Sequence, residues 1–233
     1  MKNLEKLKEK NGLAGRETPM LAEAFTHRSY AVEKNLDFDN QRLEFLGDAV
    51  LEIILTEYLF QRYPRMNEGD LTKVRSALVR ENTLAELAHS LSLGDYLRIG
   101  NGERENGGAN RKSTLADLFE AVLGAIFLDA GLEFARTFVL DCFLRHTPEP
   151  AELLQTINPK GTLQEFAQKY KMPPPVYRVL QVSGPDHDPT FEVEVTCSNY
   201  SATGESSSRK LAESSAARKL YEYLSRMIPP ENA

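Results

Sequence analysis

Residues 40–52 read Asn40-Gln41-Arg42-Leu43-Glu44-Phe45-Leu46-Gly47-Asp48-Ala49-Val50-Leu51-Glu52. Apolar residues recur here at steps of three and four, which is typical of a helix that buries one stripe. On another face, Glu44, Asp48 and Glu52 follow one another at steps of four. Like charges at that spacing cost an isolated helix roughly 0.2–0.5 kcal/mol per pair, and no Lys or Arg stands four residues beyond Glu44 or Asp48. Either this acidic face is turned to water, or a group outside the helix compensates it.

A second stretch, residues 113–128, is apolar nearly all round and predicts a helix that is buried on most sides. Its only charges are Asp117 and Glu120, which are three residues apart and therefore share a face. Buried carboxylates are usually paired, protonated or bound to metal, because desolvating them is costly. If the two acidic faces meet, four carboxylates enclose a site for a hard cation: Glu44, Asp48, Asp117 and Glu120. Oxygen-only ligands suit Mg²⁺ or Mn²⁺ and argue against zinc.

The composition indicates a globular protein. The 233 residues are 41% apolar and 27% charged, which suits one large domain or two modest ones. The net charge of −6 and the isoelectric point near 5.4 provide no overall basic field. Any nucleic-acid binding would therefore rely on local patches or on metal.

Targeting and redox signals are weak. The first ten residues alternate in charge and lack the apolar core of a signal peptide. No apolar run approaches the roughly 20 residues that a membrane span needs. Cys142 and Cys197 lie far apart in the sequence and form neither a metal pair nor a disulfide framework. We therefore expect a reduced, cytoplasmic protein that has no membrane partner.

The periodicity divides the chain into two domains and a linker. Residues 1–147 predict helices without a convincing strand, residues 148–157 predict a linker, and residues 158–227 predict the order helix, three strands, helix. The expected strands are 176–180, 191–195 and 200–204. Ser208 is well placed as the N-cap of a final helix.

Local signals in the first domain predict where its helices begin and end. An apolar pattern over residues 21–30 suggests one short helix with His27 near its end, where a packing role is commoner than a functional one. Asp70 is positioned to cap a later helix. A glycine-rich loop leads to Arg111 and Lys112, which either place positive charge beside a metal site or are simply solvated.

Residues 40–48 closely resemble the signature of bacterial ribonuclease III, and residues 158–227 resemble a double-stranded-RNA-binding domain. The resemblance covers nearly the whole chain, with both modules in the family's order. It implies an all-α endonuclease domain followed by an α-β-β-β-α domain, acting as a homodimer on double-stranded RNA. It also implies Mg²⁺-dependent hydrolysis that leaves 5′-phosphate and 3′-hydroxyl ends with short 3′ overhangs. Ribosomal RNA precursors and other structured transcripts are the expected substrates, and no small-molecule cofactor is expected.

The resemblance also assigns roles in the first domain. It implies that Mg²⁺, for which Mn²⁺ can substitute, is held by Glu44, Asp48, Asp117 and Glu120. Of these, Asp48 and Glu120 are the most critical for catalysis. Glu68 resembles an additional catalytic acid that the dimer brings near the centre. Phe45 resembles the residue that plugs into the partner subunit, although ordinary core packing is the alternative. Gln41 stands where many relatives carry Glu, so we expect an altered rate or substrate preference with activity retained.

In the second domain the resemblance implies three RNA contacts. The helix that reads the minor groove is matched by Gln164, Glu165 and Gln168. A loop that enters a second minor groove is matched by His187. The basic start of the last helix, which lies over the phosphates, is matched by Ser208, Arg209 and Lys210. The basic cluster is thin, because Glu213 stands where relatives often add Lys. Nine basic and ten acidic residues from position 151 onward give a net charge of about −1. We therefore expect weaker and more salt-sensitive binding than in a strongly basic homologue.

Two other function classes remain as alternatives. A catalytically silent RNA-binding or ribosome-associated scaffold would be expected to lose acids from the metal site, whereas all four are present. A di-iron carboxylate bundle requires Glu-x-x-His pairs. The residue three positions after Asp117 is Glu120, and the residue three positions after Glu44 is Gly47. Neither is the His that such a pair requires. The endoribonuclease is the favoured hypothesis.

Overall fold

The computed structural model describes residues 19–185 and 187–228. The expectation for the first ten residues, and residue 186 of the predicted RNA-binding loop, lie outside the described part. The chain divides between Pro148 and Glu149 into two compact units. In the described ranges, no helix is both long enough and apolar enough to cross a membrane.

The first unit is built from helices, as predicted. Its α-helices in the described residues are α1 (Pro19–Ala24), α2 (Arg28–Lys34), α3 (Gln41–Arg62), α4 (Glu68–Leu78), α5 (Glu81–Ser90), α6 (Asn101–Glu105), α7 (Lys112–Ala130) and α8 (Leu132–His146). Two 3₁₀ turns, Leu93–Tyr96 and Gly108–Asn110, connect α5 to α6 and α6 to α7. The short helix α6 forms where a glycine-rich loop was predicted.

Helix α7 is the centre of this unit. Because its sequence is apolar on nearly all sides, it packs against α1, α3, α5 and α8. Phe119 is fully buried, and its ring centroid lies 6.0 Å from that of Phe138 and 6.4 Å from that of Phe143, both on α8. Burying a side chain of this kind stabilises the fold by roughly 1.5–3 kcal/mol. Because the buried side chains of α7 hold this helix in place, the positions of its few charged residues are fixed as well.

Helices α3 and α7 touch backbone to backbone at two glycines. A Cβ atom added to Gly47 would lie 1.8 Å from the carbonyl oxygen of Glu120. A Cβ atom added to Gly124 would lie 2.2 Å from the carbonyl oxygen of Leu43. Side chains at these positions would push the helices apart, since real atoms do not approach so closely. The glycine pair therefore sets the spacing of the two acidic helices.

Two further predictions of local structure in this unit were wrong. The single helix over residues 21–30 is broken, because the backbone around Thr26 pairs with Arg98 and the His27 side chain caps α2 by accepting from the Ser29 N–H. The cap of α4 is Asn67, whose side chain accepts from the Asp70 N–H at 3.0 Å. Sequence spacing alone does not distinguish these capping residues from their neighbours.

The second unit has the predicted order of helix, three strands and helix. Its elements are α9 (Pro150–Ile157), α10 (Pro159–Lys169), β1 (Val176–Ser183), β2 (Thr190–Cys197), β3 (Tyr200–Ser206) and α11 (Arg209–Met227). The strands form an antiparallel sheet in the order β1-β2-β3, with an irregularity between Val179 and Gln181. Ser208 caps α11 as predicted, because its side chain accepts from the Leu211 N–H.

The core of this unit lies between the sheet and the two long helices α10 and α11. The buried residues include Leu163, Ala167, Val195, Ala216 and Leu220. Helix α9 forms within the segment predicted as a linker. A proline suits the first turn of a helix, where its missing N–H is not needed, and α9 begins at Pro150.

Candidate metal centre and nucleic-acid interface

Three carboxylates converge where α3 crosses α7. Glu44 lies one turn before Gly47 on α3, and Asp117 and Glu120 lie on α7. One carboxylate oxygen from each of the three residues lies within 4.8 Å of the other two. All three side chains are half-buried. The predicted meeting of two acidic faces therefore occurs.

The carboxylates disfavour one another's charge. Burial, followed by the charges of Asp48, Glu44 and Asp117, raises the pKa of Glu120 to about 8. Burial and then Asp117 raise the pKa of Glu44, while burial and then Glu81 raise the pKa of Asp117. These residues have no ion-pair partner in residues 19–185 and 187–228. A cluster of oxygen donors without a cation of its own fits a divalent metal ion.

Asp48 lies outside this three-residue cluster. The side chain is exposed, and Asp48 lies one turn beyond Glu44, about 5.4 Å further along the helix axis. Its charge is close enough to raise the pKa of both Glu44 and Glu120. The structure thus brings three of the four predicted ligands together and leaves the fourth beside them.

The third acid of the α3 run is compensated from outside its helix. Glu52 Oε2 lies 2.9 Å from Arg75 Nε of α4 in an ion pair. Arg75 Nη1 also donates a 2.9 Å hydrogen bond to Thr56 Oγ1. Glu52 is therefore part of the packing between α3 and α4.

The basic residues before α7 have their own partners. Arg111 Nη1 lies 2.9 Å from Glu103 Oε1. Lys112 Nζ donates a 2.8 Å hydrogen bond to Asn82 Oδ1. Both side chains are exposed, and their role in placing positive charge beside a metal site stays a prediction.

One neighbour of the cluster was not anticipated from the sequence. The charge of His27 lowers the pKa of Asp117, opposing the effect of burial. His27 precedes α2 and is 90 residues from Asp117 in the sequence, so no local pattern signals this proximity.

Gln41 lies at the start of α3, where its Oε1 accepts a hydrogen bond from Arg28 Nη1 at 3.2 Å.

Residues 17–147, more than half of the chain, match the family model described as Ribonuclease-III-like. The chain belongs to the ribonuclease III family. Residues 159–224 match the model of the double-stranded RNA binding motif. Members of the ribonuclease III family are metal-dependent nucleases, which agrees with the carboxylate cluster.

Ribonuclease III relatives extend over nearly the whole chain. Ribonuclease 3 of Vibrio cholerae is 43% identical over 223 residues, covering 95% of this chain and 97% of the relative. Ribonuclease 3 of Moorella thermoacetica is 46% identical over 198 residues, covering 84% of each chain. The solved nuclease domain of ribonuclease III from Campylobacter jejuni superposes with a TM-score of 0.59 at 42% identity, covering 63% of this chain and 100% of that domain. That nuclease domain shows structural flexibility in the region involved in dimer formation.

Two further residues that the ribonuclease III resemblance singled out lie on the surface of the first unit. The Phe45 side chain is 81% exposed, so the core-packing alternative for Phe45 is wrong. Glu68 is exposed at the start of α4 and accepts a 3.1 Å hydrogen bond from Thr72 Oγ1. It borders a groove of about 510 Å³ whose other lining residues are Thr56, Leu59, Phe60, Met66, Leu71, Thr72 and Arg75.

The residues predicted to contact RNA lie at the surface of the second unit. Gln164, Glu165 and Gln168 are exposed on α10, His187 is exposed in the β1–β2 loop, and Arg209 and Lys210 are exposed in the first turn of α11. Ser208 is used as the helix cap. The open N–H groups and dipole of a helix N-terminus suit a phosphate. The exposure of these side chains is compatible with contacts to a duplex.

Metal binding at the cluster is expected to strengthen as the pH rises. The pKa of Glu120 is about 8 in the metal-free protein, so at neutral pH this carboxyl holds a proton that the metal must displace. Below that pH, each pH unit should raise the metal affinity by up to about tenfold. Calorimetric titration in buffers of different protonation enthalpy measures the proton released.

Glu86→Gln is the matched control for this titration, because Glu86 is exposed on α5 and is not one of the clustered acids. It should leave the pH dependence unchanged. A metal affinity that stays constant from about pH 6 to about pH 8, without proton release, would contradict the expectation.

Proposed function

We propose that this chain is a Mg²⁺-dependent endoribonuclease that hydrolyses phosphodiester bonds of double-stranded RNA. The observation that supports this most strongly is the carboxylate cluster at the crossing of α3 and α7 in a chain that also carries an RNA-binding motif. The products carry 5′-phosphate and 3′-hydroxyl ends with short 3′ overhangs. Ribosomal RNA precursors and other structured transcripts in the cytoplasm are the proposed substrates.

The first unit supplies the reaction centre. Glu44, Asp117 and Glu120 present converging oxygens that would hold the ion, and the exposed Asp48 beside them would be the fourth ligand. These residues would hold Mg²⁺, or Mn²⁺ in its place, and the bound ion would supply activation of water for in-line attack and stabilisation of the departing 3′-oxygen. The half-burial of the cluster limits competing water, which strengthens the electrostatic attraction between the carboxylates and the cation.

The second unit supplies duplex recognition. Gln164, Glu165 and Gln168 face a minor groove and His187 enters a second one, while Arg209 and Lys210 lie over the phosphates between them. A-form RNA is read mostly through its shape, 2′-hydroxyls and phosphates. Sequence specificity should therefore be limited.

We further propose that two copies of the chain pair through α3. Phe45, Ile53 and Phe60 are exposed at 81%, 53% and 70% and lie within one face of the helix at 100° per residue. The groove that Phe60 and Glu68 border is continuous with this stripe. In a symmetric pair, Phe45 of each copy enters the groove of the other. Because Glu44 precedes Phe45, this docking brings Glu68 of the partner subunit toward the carboxylate cluster, where it assists catalysis.

Phe45→Ala should weaken the dimer. An aromatic anchor that fills a groove is typically worth at least about 2 kcal/mol, so the dimer dissociation constant should rise at least about 30-fold. Sedimentation velocity over a range of concentrations measures this change. Leu144→Ala, which shortens another exposed apolar side chain on α8, should leave association unchanged. A Phe45→Ala protein that remains dimeric at the same concentrations would refute this docking mode.

The proposed activity is tested with an end-labelled, fully paired RNA duplex in the presence of Mg²⁺. The duplex should be cut to staggered fragments with 5′-phosphate ends, while the separate strands should survive and chelation of the metal should stop cutting. Tight duplex binding without cutting in Mg²⁺ or Mn²⁺ would leave the RNA-binding scaffold as the function.

A further inference from the structure

Glu213 lies almost buried between the N-terminal turns of α10 and α11. Its exposed fraction is 9%. Lys160 Nζ of α10 lies 2.6 Å from Glu213 Oε2, and Arg209 Nε of α11 lies 2.9 Å from Glu213 Oε1. The hydrogen bond from Lys160 makes the largest contribution to lowering the pKa of the Glu213 carboxyl, which therefore carries its charge at neutral pH.

Both cations are thereby held by the domain itself. Lys160 Nζ also lies 4.3 Å from the ring centroid of Tyr177, which is within the range of a cation–π contact. The three charged groups together carry a net charge of +1 instead of the +2 that the two cations would carry alone. Glu213 thus halves the positive charge of this cluster.

The positive charge that Glu213 offsets lies at the surface proposed to bind RNA phosphates. Arg209 belongs to the first turn of α11, where the helix N-terminus attracts phosphate. Affinity for an RNA duplex depends on how many phosphates Lys and Arg neutralise, and the chain from residue 151 onward has a net charge of only about −1. A phosphate that approaches Arg209 must compete with a carboxylate that is already bonded to it.

We propose that Glu213 limits the affinity of this domain for double-stranded RNA, because it holds Arg209 and Lys160 in an internal ion-pair cluster in competition with RNA phosphates. The inference rests on the proposed binding of duplex RNA by the second unit. Glu213 acts through Arg209 and Lys160 and is a positioning residue without an RNA contact of its own.

The test is duplex binding by the full chain without metal, measured by fluorescence anisotropy at several salt concentrations. Glu213→Gln should tighten binding by about 3- to 10-fold and steepen the dependence of log affinity on log salt by up to about one unit, because more phosphates are then neutralised. By the same argument the thin basic cluster of the native chain gives a shallower salt dependence, so the expectation of more salt-sensitive binding drawn from the sequence has the wrong sign. Glu222→Gln makes the same charge change nine residues further along α11, about 13 Å away, and should have little effect. Equal gains in both variants would overturn the proposal.

A double-mutant cycle isolates the role of Arg209 from any effect on folding. Arg209→Gln should reduce affinity only slightly in the native chain, because Arg209 is held by Glu213, and should reduce it several-fold more in the Glu213→Gln background. Equal losses in the two backgrounds, or weaker binding by Glu213→Gln itself, would overturn the inference while leaving the proposed function intact. Absence of duplex binding by the native chain would overturn both.

The native chain offers a readout that needs no variant at position 213. The arginine Nε–H resonance of Arg209 should shift when duplex is added, since phosphate replaces Glu213 as its partner. If the backbone amides of α10 shift on duplex addition while the Arg209 Nε–H resonance stays fixed, the competition does not occur and the proposal fails.

Discussion

Glu120→Gln is expected to lower duplex cleavage by more than about 100-fold while the protein still binds the duplex. Glu120 is half-buried at the crossing of α3 and α7, and its carboxylate is one of three that converge there. The amide retains the shape of the side chain and one acceptor oxygen but removes the charge that attracts a divalent cation. Single-turnover cleavage with Mg²⁺, at protein concentrations that saturate binding, measures the loss directly.

The same variant should be more stable than the native chain when metal is absent. Folding raises the pKa of Glu120 to about 8, so at neutral pH the folded state binds a proton that the unfolded state has lost. Stability of the native chain should therefore fall as the pH rises from the ordinary range of a carboxyl toward 8. Gln at position 120 removes this dependence, and thermal melting in chelator at several pH values detects it. Loss of cutting together with loss of folding would point to a structural role for Glu120 instead.

Gly47→Ala should destabilise the first unit and disrupt the metal centre together. The new Cβ atom would lie 1.8 Å from the carbonyl oxygen of Glu120, a backbone atom that cannot move aside alone. Overpacking costs about 1–3 kcal/mol and occasionally more, and a 1.8 Å contact with a backbone atom belongs at or above the top of that range. The cost therefore exceeds the roughly 1 kcal/mol that Ala gains over Gly in a helix. A net loss of about 2 kcal/mol or more corresponds to a melting temperature lower by roughly 4–8 °C for a unit of this size.

Gly102→Ala provides the matched comparison, because no heavy atom lies within 4 Å of a Cβ added there. This change in the short helix α6 should be neutral or slightly stabilising. Calorimetry measures stability in both variants, and metal titration measures the site. A Gly47→Ala protein that melts like the native chain and binds metal equally well would show that the helices can separate without cost, contrary to the packing argument.

Much of the site was predictable because helical periodicity is local. Steps of three and four placed Glu44 on one helix and the Asp117–Glu120 pair on another, and the lack of basic residues inside the second helix indicated a cation from elsewhere. The structure confirms that the two acidic faces meet. Periodicity did not predict the position of Asp48. Glu44 and Asp48 are four residues apart on α3, and this spacing does not indicate which of the two reaches α7.

Other features depended on residues that are distant in the sequence. Lys160 and Glu213 are 53 positions apart, and Glu213 by itself resembles any acidic residue on a helix surface. The break after α1 depends on backbone pairing between Thr26 and Arg98, 72 positions apart. Short-range patterns carry no information about such pairs, because they form only when separate elements pack.

The sequence by itself determined the two-part organisation, the types of the main elements and the chemistry of the carboxylate site. Periodicity, caps and the choice of side chains act over a few residues and are written directly in the chain. Only the tertiary structure decided which carboxylates converge, that Phe45 stays at the surface, and that Lys160 pairs with Glu213. These outcomes depend on how closely α3 approaches α7 and α10 approaches α11, and close packing fixes that approach through contacts between distant parts of the chain.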